Sequence, residues 1–268
     1  MFRFGMFLVC LCLAVAPGAS AQSARSVFVD QLTWTELRGL IRGGDTTILI
    51  PIGGTEQSGP DMALGKHNVR VKALSEKIAL ALGNALVAPV MAYVPEGGIN
   101  PPTAHMRFPG TITVPDDVFE KTLEYAARSF KLHGFRDIVF LGDHGGYQAD
   151  ERVVADRLNR EWAETPVRVH AISEYYQVTQ REYVQALIDK GYSAAEIGTH
   201  AGLADTSLML ALDPGMVRAD RLVSDTKLAA ADGVYGDPHR STAELGQIGV
   251  DLIVKRTVGA IRKADKRP

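Results

Sequence analysis

A continuous apolar run in the first third of the chain, TTILIPIGG at residues 46–54, most constrains the fold. Its β-branched residues and its terminal glycines are typical of a strand buried on both faces, as in a parallel sheet. Two further runs, ALVAPVMAYVP and DIVFLG, have the same character. Because amphipathic helical segments lie between these runs, the sequence predicts a three-layer α/β/α sandwich around a mostly parallel sheet.

Helices are predicted where apolar residues recur at a spacing of three or four, as in segments 68–83 and 116–135. A short strand is expected near Ser26, and a C-terminal helix from about Thr242 to Lys263. Between the second and third strands lies a loop containing glycine and proline, residues 96–115. A loop of this length inside a compact domain favours a functional role.

The composition is that of a globular protein, since 46% of the 268 residues are hydrophobic and 22% are charged. An α/β fold commonly reaches this length as one unit, so residues 22–268 are predicted to form a single domain. The net charge of −2 gives no electrostatic reason to expect nucleic acid or an anionic membrane as a partner. A small molecule is the expected partner.

The first residues have the layout of a secretory signal peptide. The basic Arg3 precedes an apolar stretch from Phe4 to Ala16, and small residues at Ala19 and Ala21 predict cleavage after Ala21. A membrane anchor is the alternative, but this stretch is shorter than the roughly 20 residues that a spanning helix needs. We therefore expect a signal peptide at 1–21, a periplasmic or secreted protein, and no membrane attachment after cleavage.

Both cysteines of the chain, Cys10 and Cys12, lie in this N-terminal segment. The mature protein is therefore expected to have no disulfide, no thiol nucleophile and no thiolate ligand for a metal. A metal site in this protein would have to use imidazole and carboxylate groups, which suit Zn²⁺, Mn²⁺ and Fe²⁺.

Polar side chains follow two of the predicted strands at their carboxyl ends. Glu56, Asp61 and His67 come after the first strand, whereas Asp143 and His144 come after the third. Ligands of α/β sheets bind in the crevice at this edge. Each residue alone has a structural alternative, such as capping a helix or forming an Asx-turn, but their clustering favours Glu56 and His144 as metal ligands.

Five motifs resemble, in the same order, those of the creatininase (creatinine amidohydrolase) family. The sequence contains PIGGTEQSGPDMALGKH, HMRFPGTITV, HGFRDIVFLGDHGGYQ, HAGLADTSLMLALDP and GDPHRSTAELG, and the similarity spans roughly residues 30–262. The resemblance implies a three-layer α/β metalloprotein with a two-metal centre, often a ring-like hexamer. A homo-oligomer, and possibly a hexamer, is therefore expected.

The resemblance also implies which residues hold the metal. Glu56 and His144 match ligands of the family, and Asp205 stands where the family has a glutamate ligand. His67 occupies the position of an aspartate that bridges two metals, and Ser58 that of a histidine ligand. Both departures remove donors for a second ion, so the expectation is one ion, with zinc favoured over manganese or iron. The expected ligand set consists of Glu56, His67, His144 and Asp205.

Two alternatives stay open for this centre. Asp61 or Asp143 could supply the donors that a second ion needs, so that the site would still bind two ions. The altered site could instead bind no metal at all.

The expected activity is hydrolysis of a small amide or cyclic amide by a metal-activated water, with Glu56 at the metal. His200 matches the histidine of the family's H-A-G motif and is the expected proton shuttle to the leaving nitrogen. His105 and Arg107 on the long loop are expected to line the substrate pocket, where Arg107 can orient a carboxylate. The competing functions are lactone hydrolysis and non-catalytic binding of a small ligand.

Overall fold

Four parallel strands lie at the centre of the computed structural model, which describes residues 26–223 and 226–265. Thr47 in the first strand is in register with Ala85 of the second and with Asp137 of the third. The strands are β1 (Thr47–Ile52), β2 (Ala85–Val87), β3 (Asp137–Gly142) and β4 (Arg168–Ala171), in the spatial order β2-β1-β3-β4. The prediction of a parallel central sheet is confirmed.

Helices pack on both faces of this sheet. In the described part of the chain the α-helices are α1 (Trp34–Arg42), α2 (Lys66–Leu82), α3 (Asp116–His133), α4 (Gln148–Glu161), α5 (Glu174–Gln180), α6 (Glu182–Asp189), α7 (Ala194–Ile197), α8 (Leu203–Leu212), α9 (Ala219–Leu222) and α10 (Ala243–Asp265). Short 3-10 turns lie at Val29–Gln31, Ala104–Arg107, Pro214–Met216 and Ala230–Asp232. Within the described ranges, no helix combines the length and the apolar character needed to span a membrane.

Two hydrophobic clusters hold the three layers together. Leu49 and Val139 point to one face, where they pack with apolar residues of α2, α5, α8 and α10. Ile50 and Phe140 point to the other face and pack with residues of α3 and α4. Successive residues of a strand point to opposite faces, so one apolar run fills both clusters. The predicted α/β/α sandwich is confirmed.

The direction in which the chain crosses the sheet reverses between β1 and β3. From β1 the chain passes through α2 to β2 on one side, and from β3 it passes through α4 to β4 on the other. The two connecting helices lie on opposite faces. The loops that follow β1 and β3 therefore diverge and leave a crevice at the carboxyl ends of these strands.

Three boundaries differ from the sequence prediction. The strand expected near Ser26 is reduced to a single bridge between Phe28 and Val87, because β2 is only three residues long and offers few backbone partners. The second apolar run likewise forms a strand over only these three residues, with an isolated bridge from Met91 to Ile52 beyond it. Helix α2 begins at Lys66, two residues before the predicted segment, with Gly65 as its N-cap.

The predicted signal peptide at 1–21 and both cysteines lie outside the described residues. The organisation of residues 22–268 as a single domain stays a prediction.

Candidate metal centre

The crevice after β1 and β3 is held in shape by one tyrosine hydroxyl at the start of α4. The hydroxyl of Tyr147 lies 2.6 Å from the backbone oxygen of Gly53, just after β1. It also accepts the backbone N–H groups of Asp143 and His144, just after β3, at 3.2 and 3.1 Å. Tyr147 is fully buried, so these contacts fix the two strand ends relative to each other.

Three side chains at this edge can hold a metal ion. One ligand atom each from Glu56, His105 and His144 lies within 4.8 Å of the others. Glu56 Oε2 lies 3.1 Å from His105 Nε2 and 3.8 Å from His144 Nε2. This oxygen is buried and, among the described residues, makes no contact of hydrogen-bond geometry. An orphaned buried carboxylate oxygen beside two imidazoles fits a divalent cation.

The charge states of these three groups also suit a metal. Burial lowers the pKa of His105 and His144, and that of His144 falls to about 4. Both imidazoles are therefore neutral near pH 7, as a ligand must be. Burial disfavours the ionised form of Glu56, but the charges of Lys66 and His67 outweigh it and hold its pKa well below the usual value. The group thus offers one negative charge and two neutral nitrogens.

His67 lies beside this group but faces two carboxylates. Its Nε2 is 2.6 Å from Glu56 Oε1, and its Nδ1 is 2.5 Å from Asp143 Oδ2. Asp143 is also bound by Arg70 Nε at 2.8 Å and by the Tyr175 hydroxyl at 2.7 Å. Burial opposes ionisation of Asp143, and the charge of Arg70 outweighs it, so the pKa of Asp143 is lowered. With both nitrogens directed at carboxylates, His67 has no lone pair directed at the three-residue group.

Asp205 is engaged by two internal cations. Lys66 Nζ lies 3.0 Å from its Oδ2, and Arg70 Nη1 lies 2.7 Å from its Oδ1. Burial disfavours the charge of Asp205, but the charges of Lys66 and Arg70 hold its pKa well below the usual value. Of the four ligands predicted from the sequence, the structure thus brings Glu56 and His144 into the three-residue group and places Asp205 in ion pairs. The use of His67 and Asp205 as ligands stays a prediction.

Two further candidate residues lie apart from the three-residue group. The buried hydroxyl of Ser58 has no hydrogen-bond partner in the described part of the chain. Asp61 is influenced by the charges of Arg221 and His239 and by none of the three candidate ligands, and burial raises its pKa. Its backbone oxygen accepts the N–H of Arg218 at 2.7 Å. Neither side chain supplies an atom to the group of Glu56, His105 and His144.

Two cavities reach the site from different sides. An inner cavity of about 270 Å³ is bordered by His144, Asp205 and His200. An outer cavity of about 700 Å³ is bordered by His105, Arg107 and, again, His200. The predicted pocket residues on the long loop thus line the outer cavity, and the His200 ring lies between the two cavities.

The protonation of His200 follows from its neighbours. Its Nε2 is 2.9 Å from the backbone oxygen of Gln57, which can only accept, so this nitrogen carries the proton. Its Nδ1 is then unprotonated and lies 3.5 Å from Lys66 Nζ. Burial, followed by the charge of Lys66, lowers the pKa of His200 to about 3. His200 is therefore neutral over the physiological range.

Sequence reasoning missed three residues of this site, namely Lys66, Arg70 and Glu96. Lys66 is the first residue of α2, where the helix dipole disfavours a cation, and this unfavourable position was a usable signal in the sequence. Glu96, in the long loop, is buried with both carboxylate oxygens unpartnered within the described ranges. Burial, followed by the charge of Glu56, raises its pKa to about 9. Its Oε2 lies 4.0 Å from His144 Nδ1.

The chain is similar to known proteins over most of its length. Creatinine amidohydrolase of Pseudomonas putida is 28% identical over 264 residues, covering 90% of this chain and 98% of that protein. A solved structure described as "Creatininase Mn" is 26% identical, with a TM-score of 0.72, and the match covers 91% of this chain and 100% of that one.

A second relative has a different substrate. The 3-dehydro-scyllo-inosose hydrolase of Thermotoga maritima is 28% identical over 198 residues, which are 70% of this chain but only 57% of that protein. The similar proteins are thus hydrolases whose substrates differ. Against protein families, residues 30–261 match the creatininase family, described as creatinine amidohydrolase. On this match, together with the fold, the chain belongs to the creatininase family of hydrolases.

Proposed function

We propose that the protein hydrolyses a small amide or cyclic amide, a C–N bond outside peptides, with one divalent ion held by Glu56, His105 and His144. Zinc is the preferred ion, with manganese and iron as the alternatives. The observation that carries the proposal is the buried Glu56 Oε2, which lies 3.1 and 3.8 Å from the two imidazole nitrogens and has no hydrogen-bond partner among the described residues.

The protein's own groups supply charge and position at this centre. When bound, the ion acidifies a water and polarises the carbonyl of the substrate. Glu56 provides the single negative charge, while His105 and His144 provide neutral nitrogens. The Tyr147 hydroxyl holds the backbone of His144 in place at 3.1 Å. Burial of these groups excludes bulk water and strengthens their electrostatic effect on the reacting bond.

His200 and Arg107 are proposed to act on the substrate. His200 borders both cavities, so its ring is placed to carry a proton to a leaving nitrogen. Arg107 borders the outer cavity, which is the wider of the two. A guanidinium there favours substrates that carry a carboxylate, which it can bind through two hydrogen bonds.

Metal content and hydrolysis, measured together, test the proposal. Wild-type protein reconstituted with zinc, manganese or iron is expected to hold about one ion per chain and to hydrolyse members of a matched panel of amides, lactams and lactones. Glu56→Ala and His144→Ala are expected to lose both the ion and the activity. His133→Ala is the matched control, because His133 is exposed at the end of α3, and it should keep both.

A particular feature favours the non-catalytic alternative. Lys66 and Arg70 already face the carboxylates of Glu56, Asp143 and Asp205, so much of the negative charge is balanced without an ion. If the reconstituted wild-type protein holds no ion, the hydrolase proposal fails and a small-ligand binding protein takes its place. A bound ion together with hydrolysis of lactones, but not of amides or lactams, would identify a lactonase.

Export and assembly are proposals that rest on the sequence and its family resemblance. We propose a periplasmic or secreted homo-oligomer. Mass spectrometry of the protein recovered from the periplasm should give a mature N-terminus after Ala21, and light scattering should give a mass above that of one chain.

A further inference from the structure

The ammonium group of Lys66 lies between three side chains, two carboxylates and one imidazole. Lys66 is fully buried. Its Nζ is 3.0 Å from Asp205 Oδ2, 3.4 Å from Glu56 Oε1 and 3.5 Å from His200 Nδ1. Two carboxylates and one imidazole around a single point are the donor set that a divalent ion takes in proteins.

The position of Lys66 on its helix makes this placement costly without those donors. Lys66 is the first residue of α2, whose unpaired backbone N–H groups make the N-terminus positive. An ammonium taken out of water also loses its hydration. The carboxylates of Glu56 and Asp205 offset both effects. These two carboxylates therefore stabilise the ammonium at this position, whereas the N-terminus of the helix disfavours it.

Each of the three donors directs an atom at this point. Asp205 binds Arg70 through Oδ1 at 2.7 Å, while its Oδ2 faces Lys66 at 3.0 Å and also accepts the N–H of Ala201. His200 has its proton on Nε2, bound to Gln57, so Nδ1 has a free lone pair. Glu56 directs Oε1, which also lies 2.6 Å from His67 Nε2, at Lys66, and it directs Oε2 at the two imidazoles of the candidate centre. One carboxylate thus joins two neighbouring cation positions.

We propose that Lys66 is a built-in cation occupying a second, latent metal site formed by Glu56, Asp205 and His200, so that the centre takes one ion and removal of the lysine side chain opens the site to another. The inference rests on the proposed function only for the neighbouring ion at Glu56, His105 and His144. Lys66 acts as a positioning residue, since it touches Glu56 and His200 and does not border either cavity.

The test compares two substitutions of Lys66 that both remove its charge. Lys66→Ala removes the side chain and leaves room for an ion, whereas Lys66→Met fills the same space with an apolar chain. After equilibration with manganese and removal of excess, mass spectrometry under native conditions counts the ions per chain. Lys66→Ala is expected to hold one ion more than wild type, and Lys66→Met to hold no more than wild type.

A double substitution locates the additional ion. Lys66→Ala with Asp205→Asn is expected to lose the second ion and keep the first. Lys66→Ala with His144→Ala is expected to lose the first ion and keep the second. If wild type holds no ion, the proposed hydrolase centre fails, but the difference of one ion between Lys66→Ala and wild type still decides the latent site.

Two outcomes overturn the inference. One is a folded Lys66→Ala protein that holds the same number of ions as wild type. The other concerns a Lys66→Ala protein that does not fold by itself. Manganese would then have to restore a cooperative thermal transition, because an ion in the site replaces the missing charge. A variant that stays unfolded in saturating manganese contradicts the latent site.

Discussion

Glu96 lies beside His144 with both carboxylate oxygens buried and, in the described part of the chain, without a hydrogen-bond partner. In this structure His144 Nδ1 accepts the N–H of Gly146 at 3.1 Å, while Glu96 Oε2 lies 4.0 Å away. A neutral imidazole that binds an ion through Nε2 carries its proton on Nδ1 and can then no longer accept from Gly146. The side chain of Glu96 is adjacent, and one of its oxygens can accept a hydrogen bond from this N–H.

Glu96→Leu is therefore expected to weaken metal binding by roughly 10- to 100-fold, as the loss of the hydrogen-bond acceptor behind a metal-bound imidazole does. Competition with a chromogenic chelator measures the affinity. Glu174→Leu, which makes the same change at an exposed glutamate, is the control and should leave affinity unchanged. Equal affinity for Glu96→Leu and wild type would show that Glu96 does not orient His144.

Individual residues also show how far the sequence predicts the site. Glu56 and His144 follow apolar strands directly, and strand ends are readable from apolar runs, so their proximity was predictable. Lys66 and Arg70 were not identified, because their direction depends on where α2 begins. The helix starts at Lys66, which puts residues 66, 67 and 70 on one face toward the carboxylates. If the helix began at residue 68, as the sequence predicted, residues 66 and 67 would lie outside it and would not share this face with residue 70.

At the scale of secondary-structure elements, Tyr147 joins the ends of β1 and β3. Tyr147→Phe removes one hydroxyl and leaves the backbone groups of Gly53, Asp143 and His144 without this partner. Unpaired buried polar groups cost about 1–3 kcal/mol, so the free energy of unfolding in urea should fall by that order. Metal affinity should fall as well, because the His144 backbone loses its anchor.

The control for this change is Tyr125→Phe, since Tyr125 is exposed on α3. It removes the same hydroxyl, and its free energy of unfolding should match that of wild type. If Tyr147→Phe is as stable as wild type and binds the ion equally well, the hydroxyl does not hold the two strand ends.

The elements themselves were predicted with unequal success. β1, β3 and the long helices follow from apolar periodicity, because their burial against the sheet agrees with their local preference. The strand expected near Ser26 is not formed. A segment that prefers an extended backbone becomes a strand only where a neighbouring strand offers backbone partners, and in the described part of the chain this segment pairs only through the bridge from Phe28 to Val87. The placement of His105 by the long loop depends on tertiary contacts such as that of Gln57, 3.1 Å away.

For the whole molecule, the buried histidines make the free energy of unfolding depend on pH in the acidic range. The pKa of His144 is about 4 and that of His200 about 3 in the folded protein, against 6.5 for the ordinary group. The unfolded chain thus binds more protons below pH 6.5, and stability falls as the pH drops from 6.5 toward 4. Metal-free wild type should lose stability over this interval in urea titrations, and His200→Gln should lose less of it than wild type. Parallel titration curves for the two proteins would contradict this origin.

Glu151 acts on stability in the opposite direction, away from the metal centre. It is buried in α4, and burial raises its pKa to about 8 from the ordinary 4.5. The folded protein keeps a proton that the unfolded chain releases, so this contribution is complete below pH 4.5 and is lost as the pH rises through 8. Glu151→Gln, neutral at every pH, should therefore gain stability relative to wild type between pH 5 and pH 8, by a few kcal/mol at most. The exposed Glu76→Gln should show no such trend. A pH-independent difference between Glu151→Gln and wild type would mean that the carboxyl group of Glu151 ionises in the folded protein as it does in the unfolded chain.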